Sequence, residues 1–111
     1  MRKPGNDADI DSVLQELVRQ IVATVHPLRI ILFGSAARND ISPDSDIDLL
    51  IVVPEGTHRR RVAQQLYREI AGIGIPYDLV VATPDDIARH RHNIGLIYRS
   101  ALQEGREVYA A

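Results

Sequence analysis

The sequence predicts an α/β sandwich, with helices packed on a small β-sheet, and three observations lead there. Apolar residues recur at helical spacing over 10–25 and again over 62–73. Short apolar runs of strand type lie at 28–33, 46–53 and 75–82. Turn-forming residues separate the two kinds of segment, so helix and strand alternate along the chain. At 111 residues, residues 1–111 read as one domain.

The elements follow in order. Residues 1–8 are polar and include Pro4 and Gly5, which predicts a mobile tail. Ile10, Val13, Leu14, Leu17, Val18, Ile21, Val22 and Val25 form the stripe of a first helix, with Asp7 or Asp9 as its cap and Pro27 at its close. The first strand spans 28–33 and the second 46–53, ended by Pro54-Glu55-Gly56. A second helix is expected over 57–73, burying Val62, Ala63, Leu66, Tyr67, Ile70 and Ile73. Gly72 and Gly74 end it. Its first turn carries His58-Arg59-Arg60-Arg61, cations at the unfavourable end of the helix dipole. That run reads either as a functional patch or as a solvated charged face.

The third strand, 75–82, contains Asp78, an acid in a position that disfavours one. Thr83-Pro84-Asp85-Asp86 has the pattern of an N-cap, a first-turn Pro and first-turn acids, opening a short helix that continues to Arg91. Asn93 would cap a further helix whose stripe is Ile94, Ile97, Tyr98, Ala101 and Leu102, with Gly105 as its C′ residue. Residues 106–109 suit a last short strand.

The stretch 30–53 holds the chemistry. Residues two apart on a strand point to the same side, so Asp46 and Asp48 project together. Two close carboxylates repel, and burying them without a positive partner is costly. A divalent cation between them resolves this, and oxygen-only donors favour Mg²⁺, Mn²⁺ or Ca²⁺ over zinc. Gly34, at the end of the first strand, lets the backbone approach a ligand closely. Ser35 and the amides after it would open a helical turn suited to phosphate. Arg38, three residues beyond Ser35, would share that side, either to neutralise phosphate or in an ion pair with Asp40 or Asp44.

Gly34-Ser35, ten residues, then Asp46-Ile47-Asp48 resembles the Gly-Ser-x10-Asp-x-Asp signature of the DNA polymerase β-like nucleotidyltransferase superfamily. With Arg38, the Pro43-Asp44-Ser45 lead-in and the apolar strand that follows, the stretch is most similar to the minimal nucleotidyltransferases (MNT). The resemblance implies a small mixed sheet with helices packed on it, an α+β nucleotidyltransferase fold with the acids lining one face. It implies Asp46, Asp48 and Asp78 as catalytic and metal-binding acids, the pair holding both ions and Asp78 serving the one that activates the acceptor. Gly34, Ser35 and Arg38 would bind the nucleotide. Two Mg²⁺ or Mn²⁺ ions and ATP as substrate are expected. The activity implied is transfer of AMP from ATP to a hydroxyl of a HEPN-domain toxin, with this chain as the antitoxin. Two alternatives stay open: a binding antitoxin of the same fold without catalysis, and transfer to a small molecule such as an aminoglycoside. The related minimal proteins usually carry Gly where this chain has Asn39, the residue other than Gly that best tolerates a left-handed backbone.

Composition excludes other classes. With no cysteine, disulfides and thiolate metal sites are absent. A net charge of −2 gives no general attraction to nucleic acid. No leader-type or membrane-spanning apolar run is visible, so a cytoplasmic location is expected. A calcium loop counted from Asp44 fails at its sixth position, where Leu49 replaces the required Gly. No Gly-Lys-Ser/Thr follows the first strand, and Ser35 lacks the Gly-x-Ser-x-Gly elbow of a hydrolase nucleophile. The four histidines show no zinc spacing.

Overall fold

A computed structural model describes residues 6–34, 46–90, 101 and 104–111. The order is α1 (Asn6–Val25), β1 (Arg29–Phe33), β2 (Ile47–Val52), α2 (Arg59–Glu69), β3 (Tyr77–Ala82), α3 (Pro84–His90) and β4 (Arg106–Ala110). The expected small mixed sheet is present, with strand order β3-β2-β1-β4. β1 runs antiparallel to β2 and β4, while β2 and β3 are parallel and joined through α2.

The sheet has two apolar faces. Ile30, Leu32, Ile47, Leu49, Ile51 and Leu79 pack beneath Leu14, Leu17 and Ile21 of α1 and Leu66 of α2. Ile31, Phe33, Leu50, Val52 and Ala82 line the opposite face, with Ala101 and Ile87 against them. β2 is buried on both faces, as its unbroken apolar run requires, and Asp48 is its one residue that is not fully buried.

Several boundaries differ from expectation. α1 starts at Asn6, so 6–8 are helical rather than part of the predicted tail and Asp7 and Asp9 fall within the helix instead of capping it; residues 1–5 of that tail lie outside the described residues. α2 is shorter at both ends. His58 is its N-cap, its imidazole Nδ1 accepting from the Arg61 amide at 3.2 Å. The helix stops at Glu69 because Ile70 is extended and Gly72 and Gly74 take positive φ, conformations that glycine adopts without steric cost. The link beyond is tied to α1: the Gln20 amide donates to the Ala71 carbonyl at 2.9 Å and accepts from the Ala71 N–H at 3.0 Å. Tyr67, expected inside, is 47% exposed.

α3 opens as predicted. The Thr83 hydroxyl accepts from the Asp86 amide, and the Asp86 carboxylate accepts from the Thr83 amide and hydroxyl. Asn93, Ile94, Ile97, Tyr98 and Leu102 lie outside the described residues, though Ala101 and Glu104 are helical. Gly105 follows the last helical residue as expected, and its amide donates to the Ala101 carbonyl at 2.9 Å, the bond of a C′ residue, although its φ is not positive. It is needed for close packing: a Cβ there would strike the Ala101 carbonyl and Ile31 Cγ2. β4 bulges between its pairings with Ile30 and Ile31, which distorts that edge of the sheet.

Candidate active site

β2 and β3 bring two predicted acids side by side. Their parallel register sets Asp48 directly against Asp78. The Ile47 amide donates to the Pro76 carbonyl at 3.0 Å, which holds the starts of the two strands together. By strand alternation Asp48 shares a face with Leu50 and Val52, and Asp78 with Val80 and Ala82, which is the second face of the sheet. Asp46 precedes β2 by one residue and is exposed, as is Asp78, while Asp48 is half-buried. On the other side of Asp48, β1 ends with Phe33 in register. Gly34 follows with φ +77°, and a Cβ on Gly34 would fall against Asp48 Oδ2, 3.3 Å from its Cγ. Glycine is required there twice over, for its backbone and for the space that Asp48 takes.

The electrostatics follow from this crowding. Burial pushes the Asp48 carboxyl up from its ordinary range, and the charges of Asp78 and then Asp46 push it further. A cation at this end of the sheet would offset the charges of Asp78 and Asp46 and favour the ionised Asp48 that burial penalises. Among the described residues, no three His, Cys, Asp or Glu side chains close into a group that holds a metal ion unaided. The acids offer an open donor set instead. Mg²⁺ is commonly bound in that way, through one or two carboxylates with substrate phosphates and waters supplying the rest. The chemistry of the donors and their excess negative charge fit such an ion.

Ser35 and Arg38, the other two predicted nucleotide contacts, lie outside the described residues, as do Asn39 and the Pro43-Asp44-Ser45 lead-in. The arginine run does not join the acids. It follows the far end of β2, where Arg59 pairs with Asp86 at 3.1 Å and Arg60 and Arg61 are exposed, so it reads as a solvated face. Sequence reasoning missed Tyr67. Its hydroxyl accepts from the Leu79 amide at 2.8 Å, a reach from helix to strand that helical periodicity does not announce.

The nucleotidyltransferase domain model matches residues 10–108. A candidate nucleotidyltransferase from Sulfolobus solfataricus has a similar crystal structure, with 20% identity, a TM-score of 0.64, and coverage of 99% of this chain and 92% of that one. A toxin–antitoxin crystallised with AMP-PNP also matches, at 19% identity and a TM-score of 0.50, over 96% of this chain and 75% of that one. At those identities the likeness establishes the fold alone. No protein of curated function matches the chain. No helix among the described residues is long and apolar enough to cross a membrane.

Proposed function

The chain belongs to the nucleotidyltransferase domain family, and from that premise we propose that it transfers AMP from ATP to a hydroxyl of a HEPN-domain toxin, as the antitoxin of the pair. The observation that carries this reading is the register of Asp48 with Asp78, on one face and beside Gly34. A toxin–antitoxin among the similar folds supports the partner class, and its AMP-PNP supports the choice of nucleotide. The sequence stretch that resembles the minimal nucleotidyltransferases supports both.

The chain's residues divide the work. Asp46 and Asp48 would hold the metal that arrives with the triphosphate, and Gly34, Ser35 and Arg38 would seat the phosphates. Mg²⁺ or Mn²⁺ supplies charge neutralisation at the phosphates and stabilisation of the attacking and leaving oxygens. The acceptor oxygen attacks the α-phosphorus in line, the bond to the bridging oxygen breaks, and pyrophosphate leaves. Asp78, in register with Asp48, would take up the proton that the acceptor hydroxyl gives up.

Intact mass of a HEPN-domain partner, incubated with this protein, ATP and Mg²⁺, tests the proposal. An added AMP, lost with Asp78→Asn by a factor on the order of 10² in rate, is the expected result. Neutralisation of the toxin with no added mass, unchanged in Asp78→Asn, would assign the role to binding instead.

A further inference from the structure

We propose that Tyr67 is a positioning residue for the Asp78 carboxylate, an inference that rests on the reading of Asp78 as the third acid. Among the described residues β3 is an edge strand, paired only with β2. It is entered through a link in which Gly72 and Gly74 both take positive φ. Asp78 is the second residue of the strand, close to that link. An edge strand entered in this way is held on one side only, and its first residues are the ones most prone to fray.

One side chain counters this. The Tyr67 ring stacks on the Tyr77 ring, with centroids 5.9 Å apart and planes within 7° of parallel. Its hydroxyl accepts from the Leu79 amide at 2.8 Å. Tyr77 and Leu79 are the two neighbours of Asp78, so Tyr67 fastens the chain on both sides of the acid. The Leu79 amide points away from β2 to reach that hydroxyl, and the bond therefore closes the open edge. Tyr67 itself is anchored in α2 one residue after Leu66, which is fully buried under the sheet. It does not touch the acid. It acts through the backbone, by keeping Asp78 in register with Asp48.

The energetic contrast gives this role its purpose. Asp48 and Asp78 are register partners of like charge, and their repulsion favours displacement of the less constrained strand, which is β3. Pairing with β2 and the clamp from Tyr67 oppose it together.

The test uses Mn²⁺ and a nonhydrolysable ATP analogue, with binding followed by calorimetry and by electron paramagnetic resonance. Tyr67→Phe keeps the ring stack and removes the hydroxyl, and Tyr67→Ala removes both. The ion carried by the triphosphate on Asp46 and Asp48 should bind both variants within about twofold of the parent affinity. Affinity for the second ion should fall about tenfold in Tyr67→Phe and further in Tyr67→Ala, the range seen when the support of a metal ligand is lost. Hydrogen exchange at the Leu79 amide should accelerate in both. Asp78→Asn, measured beside them, should abolish the second binding step. If Asp78→Asn retains that step, the reading of Asp78 as the third acid fails, and the positioning role with it. If Asp78→Asn loses the step while both Tyr67 variants keep parent affinity, Asp78 stands and the positioning role is overturned. Tyr67→Phe decides alone should Tyr67→Ala unfold.

Discussion

Asp48 is placed against its own electrostatic interest, and that makes it the most informative residue of the chain. Its folded carboxyl holds a proton to higher pH than in the unfolded chain, because of burial, Asp78 and Asp46. Stability from this group therefore declines as pH rises from the ordinary carboxylate range through the raised value. Asp48→Asn should remove that slope and raise the thermal midpoint of the metal-free protein by a few degrees at neutral pH, while Mg²⁺-dependent nucleotide binding is lost. Scanning calorimetry across pH 4 to about 8 checks the first half. An unchanged midpoint would mean that Asp48 is not strained. Gly34→Ala acts on the same residue from the other side. The left-handed backbone costs about 1–2 kcal/mol with any Cβ, and the added methyl would displace the Asp48 carboxylate. Denaturant unfolding and nucleotide titration should both register the loss. For Ser35→Ala, triphosphate binding should weaken by about 1–3 kcal/mol, the range for a hydrogen bond to a charged group. Normal ATP binding would reduce Ser35 to a turn residue.

The elements were legible where local rules act alone. Thr83-Pro84-Asp85-Asp86 announced its helix start correctly, because capping depends on four consecutive residues. Asp86 behaves oppositely to Asp48. The Thr83 amide holds its carboxyl below the usual range, followed by the Thr83 hydroxyl and the Arg59 and His90 charges, with burial opposing. Its contribution is present above the ordinary carboxylate range and lost as pH falls through the depressed value. Asp86→Ala should cost about 1 kcal/mol at neutral pH, an effect that shrinks in acid, and urea unfolding at two pH values measures it. The end of α2 was not legible. Ile70 and Ile73 fit the helical stripe and are indeed buried, but they are buried from an irregular link beyond the helix. What holds that link is Gln20, fifty-one residues away in sequence, and no local pattern reports such a pairing. Gly105 was legible as a helix end, but its packing against Ile31 and Leu32 was not, since those residues come from a distant strand.

At the scale of the molecule, topology sorts the charges. β2 and β3 run parallel with Asp48 and Asp78 at their starts, and β1 runs against them so that Gly34 arrives at the same end. The arginine run follows the opposite end of β2, which is why proximity in sequence to the motif did not make it part of the site. The Gly-Ser and Asp-x-Asp spacing made the first part of this constellation readable, because both flank one antiparallel pair. Asp78 stood out only as an acid in an apolar strand. Its alignment with Asp48 is a product of the parallel crossover, and the helical stripe that includes Tyr67 gave no sign of its bond to β3. The central claim is that these acids form one metal–nucleotide site. Calorimetric titration of Mg·ATP into the parent protein and into Asp46→Asn/Asp48→Asn tests it most directly. Metal-dependent binding to the parent and its near-complete loss in the double variant, with the fold retained, is the outcome predicted. Equal metal-dependent binding by both would contradict the account.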